Sequence, residues 1–401
     1  MRVLLLNHNL AFGGGTFNRA YAIGRELAAR GHRVTLISIH ERARWRFEVT
    51  RHDGLTLVRS PDLMIGPART GWDPYDTLRR VGWLRGHRWD LIHAFDCRPA
   101  VILPALAARR FSPEAALVID WADWWGRGGT IRERSGWFVR TLFGPIETFF
   151  EEAFRRCADR TTVISTALRD RAVALGVPPT TVTVLPHGCD CQRITPEDPA
   201  AARARLGIPT SSPLVGWVGA LARRDASLLW EVLRLLVRTE PTLRLVLIGR
   251  PRVPVPLDVG PWVKAVGFVS EPHLRDWVAA CDVMLTTLAA SLASRARWPS
   301  KVNDYLAAGK AVVITNVGDF PRLLSEHQAA VVCPPKAEAL AAATLHVLRE
   351  PALRYQLEQR ARWVAEQVLA WPTLIDRLQA VYAAAVAERQ RHRAPAMPAR
   401  E

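Results

Sequence analysis

The chain holds 401 residues, 49% of them apolar, and 54 basic side chains against 38 acidic ones give a net charge of +16. That length exceeds what one hydrophobic core organises and predicts two domains of about 150–200 residues each. No apolar run is long enough to span a bilayer, the N-terminal run ends at Leu6, and six cysteines are scattered without a paired spacing, which excludes a spanning helix, a signal peptide, a disulfide framework and a zinc knuckle.

The first apolar run, 3–6, reads as a strand. Gly13, Gly14 and Gly15 follow it, before a helix in which Phe17, Ala20, Tyr21, Gly24, Leu27 and Ala28 recur three and four apart. Val/Ile/Leu runs at 34–39, 55–58, 91–95, 116–120, 161–165 and 182–185 read as further strands. A second series, at 214–218, 243–248, 263–269, 283–287, 311–315 and 330–333, comes after a proline-rich interval at 195–209, the candidate interdomain linker. Continuous apolar strands alternating with helices predict parallel sheets covered on both faces. The expected class is α/β, with Rossmann-like domains over 1–195 and 205–370. Alanine- and leucine-rich helices are expected at 336–349, 352–369 and 371–388, and 390–401 reads as a disordered tail without core-forming residues.

The most informative stretch is WPSKVNDYLAAGK, residues 298–310, followed at once by the apolar run 311–315. A polar loop opens a short helix there, and its first-turn amides have no intrahelical partners. Those amides, the helix dipole and Lys301 aim at an anion such as diphosphate. Asp304, three residues on, is able to accept two hydrogen bonds from a ribose diol. In an open α/β sheet ligands sit beyond the carboxyl ends of the strands, where Gly13, Gly14 and Gly15 also lie, open to a phosphate or a sugar.

The 298–310 stretch resembles the donor-nucleotide motif of the family-4 retaining glycosyltransferases of the GT-B fold, in which a carboxylate at the place of Asp304 holds the nucleotide ribose. The opening MRVLLLNH, the three glycines and ARGHRVTLI at 29–37 are similar to that family's first βαβ unit. ADRTTVIS at 158–165, TVTVLPHGCD at 181–190 and LRLVLIG at 243–249 follow in the family's order, so the likeness runs from residue 1 to about residue 385. It implies two facing Rossmann-like domains with the site between them, donor on the second and acceptor on the first. It also implies a C-terminal helix, 371–389, crossing back onto the first domain.

The resemblance places Gly219, Arg223, Arg224, Ser300, Lys301 and Asp304 around the donor, with Gly249, Arg250 and Phe268 bordering its base. Ala220 and Asp225 stand where the family commonly carries an arginine and a lysine, and Ala296 where many members carry a second carboxylate. The family's histidine after the fifth strand is missing. Asp120 and Asp123 lie in that region as candidates to bind an acceptor hydroxyl or act as a base toward it, and His93 matches a histidine frequent near the cleft. Plainer readings stand beside these: a capping Asp120, a structural His93, and packed tryptophans at 121, 124 and 125.

The implied activity is hexosyl transfer from a nucleoside-diphosphate sugar to an acceptor hydroxyl on a saccharide, a lipid-linked sugar or a small molecule. Retention of configuration is implied by the family, and no metal or cofactor beyond the co-substrate is expected. A silent nucleotide-binding scaffold and a sugar-nucleotide epimerase or hydrolase of the same fold are the alternatives. A dinucleotide oxidoreductase fits less well, because Gly13-Gly14-Gly15 lacks a full Gly-x-Gly-x-x-Gly. The basic excess, nearly all arginine, attracts anionic lipid, nucleic acid and phosphorylated substrates alike. Without a recognition helix or an aromatic–basic repeat, nucleic acid is not an expected partner. An anionic membrane surface stays open, and the expected place is the cytoplasm, free or peripheral at the inner membrane face.

Overall fold

The apolar runs become strands because each has two faces to cover. In the opening strand Val3 and Leu5 join a core with Phe17, Ala20, Ile23, Leu27 and Tyr382, while Leu4 and Leu6 join a separate core with Ile92, Val101, Ile102 and Ala105. The computed structural model describes residues 1–133, 137, 139–249 and 251–391. Residues 1–186 and the helix Trp371–Arg391 form one unit, and residues 187–370 form the other.

In the first unit the strands are β1 (Arg2–Leu10), β2 (Arg33–Ile39), β3 (Glu48–His52), β4 (Leu55–Ser60), β5 (Leu91–Phe95), β6 (Ala116–Trp121), β7 (Arg160–Val163) and β8 (Val182–Val184). They lie in the order β3-β4-β2-β1-β5-β6-β7-β8, parallel except for the antiparallel edge pair β3 and β4. That edge strand, EVTRH, was not expected, since it is largely exposed and lacks the apolar run that marks its neighbours. The helix Trp371–Arg391 brings Leu374, Ile375, Leu378 and Tyr382 onto the Val3/Leu5 face, so the crossing back of the chain completes the first unit's core.

In the second unit β9 (Leu214–Val218), β10 (Arg244–Ile248), β11 (Val263–Gly267), β12 (Val283–Thr286), β13 (Val312–Thr315) and β14 (Val331–Cys333) form a parallel sheet in the order β11-β10-β9-β12-β13-β14. The interval 195–209 is no free linker: it lies within this unit, and its helix Pro199–Leu206 is capped by Asp198. Arg203 anchors that helix through the Ala280 and Thr210 carbonyls, at 2.9 and 2.8 Å, and Asp282 at 2.7 Å. Its prolines therefore mark a helix start and a turn rather than a hinge.

Strand order reverses between β1 and β5 in the first sheet and between β9 and β12 in the second. Those switch points open a crevice at the carboxyl ends of the strands. The six cysteines are free, and four of them are buried. Residues 392–401 of the expected tail lie outside the described residues.

Candidate active site

Beside the second unit's switch point the ends of β9, β10 and β11 meet through their backbones. Gly219, after β9, donates its N–H to the Ile248 carbonyl at 2.9 Å, and Gly249, after β10, donates to Gly267 at 2.7 Å. Gly219 and Gly249 have φ of 141° and 117°, and a Cβ on Gly249 would stand 2.3 Å from the Gly219 oxygen. Only glycine fits so close an approach.

The loop after β9 feeds the helix Arg223–Thr239, whose first two side chains, Arg223 and Arg224, are exposed. Asp225 in the same turn is buried. It accepts the Ala289 N–H at 3.0 Å, and its carbonyl accepts the Thr287 hydroxyl at 3.1 Å, tying the helix start to the loop after β12. The place where the resemblance implies a lysine is thus held by an acid that shapes the loop.

The helix Ser300–Ala307 is fixed from beneath. Tyr305, fully buried, accepts the Val218 N–H at 2.9 Å through its hydroxyl, which sets this helix beside the end of β9. Asn303, also buried, accepts from the Trp298 indole at 3.0 Å and donates to the His187 carbonyl at 2.7 Å. Ser300 and Lys301 face outward, and the Lys301 ammonium lies 3.3 Å from the Asp304 carboxylate. Asp304 keeps 26% of its side-chain surface, and burial raises its pKa against the opposing pull of Lys301. A narrow pocket beside it is lined by Ile194, Leu274, Val278 and Ala308. Lys310 is different: it is buried, with its ammonium on the Ala279 carbonyl at 3.0 Å, and burial lowers its pKa. Phe268 follows β11 and is 79% exposed, while Arg250 lies outside the described residues.

In the first unit the Gly13–Gly15 loop closes on itself. Gly13 donates to the Leu10 carbonyl at 3.0 Å, and Thr16 bonds the side chains of Asn7 and Asn9 at 2.8 and 2.5 Å. Gly15, at φ 62°, would bring a Cβ to 3.1 Å from the Asn9 amide. Gly13 and Gly15 are exposed.

Two of the three candidate catalytic side chains prove structural. Asp120 is 1% exposed and is gripped by Arg19 through paired 3.0 Å bonds and by Thr162 at 2.6 Å. Burial would raise its pKa, but the Arg19 charge and hydrogen bonds outweigh that and hold it low. His93 is fully buried against Tyr382, 2.7 Å away, and burial pushes its pKa down to about 4. Neither reaches a surface where an acceptor would lie. Asp123 alone keeps partial exposure.

A model of the glycosyl transferase 4-like domain matches residues 14–188, and one of the glycosyl transferases group 1 matches residues 212–350. The chain belongs to the family-4 glycosyltransferases. A relative from Mycobacterium tuberculosis (strain CDC 1551 / Oshkosh), a GDP-mannose-dependent alpha-mannosyltransferase, is 27% identical over 352 residues, covering 83% of each chain. Among solved structures, sucrose-phosphate synthase (tll1590) from Thermosynechococcus elongatus superposes with a TM-score of 0.72 at 18% identity, covering 96% of this chain and 100% of that one. WaaG, a glycosyltransferase involved in lipopolysaccharide biosynthesis, gives 0.70 at 18%, covering 95% and 99%. Anabaena Alr3699/HepE in complex with UDP and glucose gives 0.70 at 15%, covering 96% and 99%. The fold of this glycosyltransferase is GT-B.

Sequence reasoning missed the group that builds the Asp123 loop of this glycosyltransferase. Glu151, 3% exposed, accepts the N–H groups of Trp125 at 2.7 Å and Gly126 at 2.6 Å and the Trp121 indole at 3.1 Å. Spacing gave no signal, because these partners lie 25 to 30 residues upstream. Burial, reinforced by the Asp96 charge, raises the Glu151 pKa from 4.5 to about 7. On raising the pH the unfolded chain therefore gives up this proton before the folded one does. The contribution is complete below about 4.5 and lost as pH climbs through about 7, up to about 3 kcal/mol. Glu151→Gln is expected to flatten that part of the melting-temperature profile between pH 5 and 8; an unchanged slope would rule Glu151 out as its source.

His8, at the end of β1, was also passed over. It is buried, lies 3.8 Å from Asp96, and has a pKa pulled well below 6.5 by burial and by Arg98 and Arg80. Asp96 itself sits at φ 76°, a strained angle for a residue with a side chain.

Proposed function

We propose that this glycosyltransferase moves a hexosyl group from a nucleoside-diphosphate sugar to an acceptor hydroxyl, with retention and without a metal ion. The donor lies on the second unit and the acceptor, a saccharide, a lipid-linked sugar or a small molecule, on the first. The carrying observation is the Lys301–Asp304 pair on a helix pinned by Tyr305 to the end of β9. In this reading Asp304 accepts from the nucleotide ribose. Lys301 and the exposed Arg223 and Arg224 oppose the charge that grows on the departing diphosphate, which is how such a site lowers a barrier. Asp123 is the remaining first-unit carboxylate for an acceptor hydroxyl. The mannosyltransferase likeness makes GDP the first ligand to try, and the UDP complexes of the more distant Alr3699/HepE make UDP the second.

Lys301→Ala is expected to weaken binding of the preferred nucleoside diphosphate about 10- to 100-fold, the worth of one or two charge-assisted contacts. Titration calorimetry with GDP, UDP and ADP reads this directly, and ligand-free melting should be unchanged. Equal affinity in the variant for every diphosphate would overturn the donor site. Ala220 and the buried Ala296, standing where the resemblance implies an arginine and a second carboxylate, together with the missing histidine, give the silent scaffold its support. Wild-type binding without turnover on any acceptor would favour that second reading.

A further inference from the structure

The helix Gly144–Ala153 of the first unit is built inside out. Its buried residues are Gly144, Glu147, Thr148 and Glu151. Its outward side carries Ile146, 49% exposed, and Phe149, 56% exposed, continuing a ridge that starts with Leu142 at 56% and Trp137 at 70%. Leu142, Ile146, Phe149 and Ala153 recur four and three apart, so they share one stripe of the helical run from Val139 to Ala153. In water this arrangement wastes the apolar face.

The exposed charge within the run has one sign. Among the described residues from 137 to 157, the exposed charged side chains are Arg140 and Arg156. Glu147 and Glu151 are turned inward, and Glu152 is taken up by Arg171. Arg127, also exposed, is held beside the helix by its backbone N–H on the Thr148 hydroxyl, 3.0 Å away. No helix of the described residues is long and apolar enough to cross a membrane.

We propose that this ridge docks in the plane of an anionic lipid surface, with Leu142, Ile146 and Phe149 in the acyl boundary, Trp137 at headgroup level and the arginines on lipid phosphates. Charge selects this occupant over a second copy of the chain, whose ridge would bring arginine against arginine. The inference stands apart from the donor reading, because none of these residues belongs to the nucleotide site.

The test is co-sedimentation with phosphatidylcholine vesicles, with and without phosphatidylglycerol. The wild type is expected to bind the anionic vesicles, more weakly at high salt, and to leave neutral ones largely in the supernatant. Ile146→Glu/Phe149→Glu should lower the bound fraction about tenfold or more. GDP or UDP affinity should hold; the Phe149 ring also meets Phe150 and Phe154 edge-on at 5.4 and 5.9 Å, so Tm is measured alongside, and Ile146→Ser/Phe149→Ser is a milder second variant. Failure of the wild type to bind anionic vesicles, or equal binding by both double variants, would overturn the proposal. So would a wild-type dimer in solution that the glutamate variant splits into monomers, since a second copy would then be the occupant.

Discussion

Arg19→Met is expected to cost the first unit about 3–5 kcal/mol, the usual loss when one partner of a buried ion pair is removed. The Arg19 guanidinium, 1% exposed, spends its donors on both oxygens of Asp120 and on the carbonyls of Leu185 and Pro186 at 2.9 Å. One side chain thereby joins the helix Thr16–Ala29 to the ends of β6 and β8. Methionine fills the space and leaves Asp120 in a dry site without its counter-charge, with two carbonyls unmatched. Pairing the change with Asp120→Leu removes the orphaned charge, so the double variant should regain much of the loss. Urea unfolding of the two singles and the double measures the coupling. A single variant within about 1 kcal/mol of wild type would show that the pair does not hold this unit together.

Gly249→Ala should have the second large effect, on folding and on the donor side together. The new methyl would overlap the Gly219 oxygen at 2.3 Å, and φ of 117° is unfavourable to any side chain. Since the clash is with backbone, relief requires β9 and β10 to part at their carboxyl ends, and about 2–4 kcal/mol of stability should go with it. The loop carrying Gly219 leads straight into Arg223, so nucleotide affinity should fall as well. Gly219→Ala is the comparison: its methyl meets only the Trp217 ring, at 3.3 Å, and should be milder. Equal melting temperatures for Gly249→Ala and wild type would contradict this account of the junction.

Much of the fold was legible because parallel strands buried on both faces are written as unbroken apolar runs, as at 3–6, 91–95 and 214–218. Strand β3 escaped because an exposed edge needs no such run. The inverted polarity of the Gly144–Ala153 helix is invisible until one knows which side faces the core. At the donor side the spacing of Lys301 and Asp304 could be read locally, whereas the Tyr305 contact to Val218 spans 87 residues. The two readings of Asp120 could not be separated for the same reason: its partner Arg19 is 101 residues away. A sequence displays a carboxylate, and the fold decides whether anything is left over for a substrate.

The return of the chain to its first unit carries a consequence for biosynthesis. Leu374, Ile375, Leu378 and Tyr382 fill a core whose other walls are made within the first 185 residues, and His93 meets its hydroxyl partner only through Tyr382. While the ribosome is still translating the second unit, the nascent first unit holds an uncovered greasy trough. Its folding is completed only when the closing helix leaves the exit tunnel, so a message truncated before codon 371 would yield a polypeptide dependent on chaperones throughout its life.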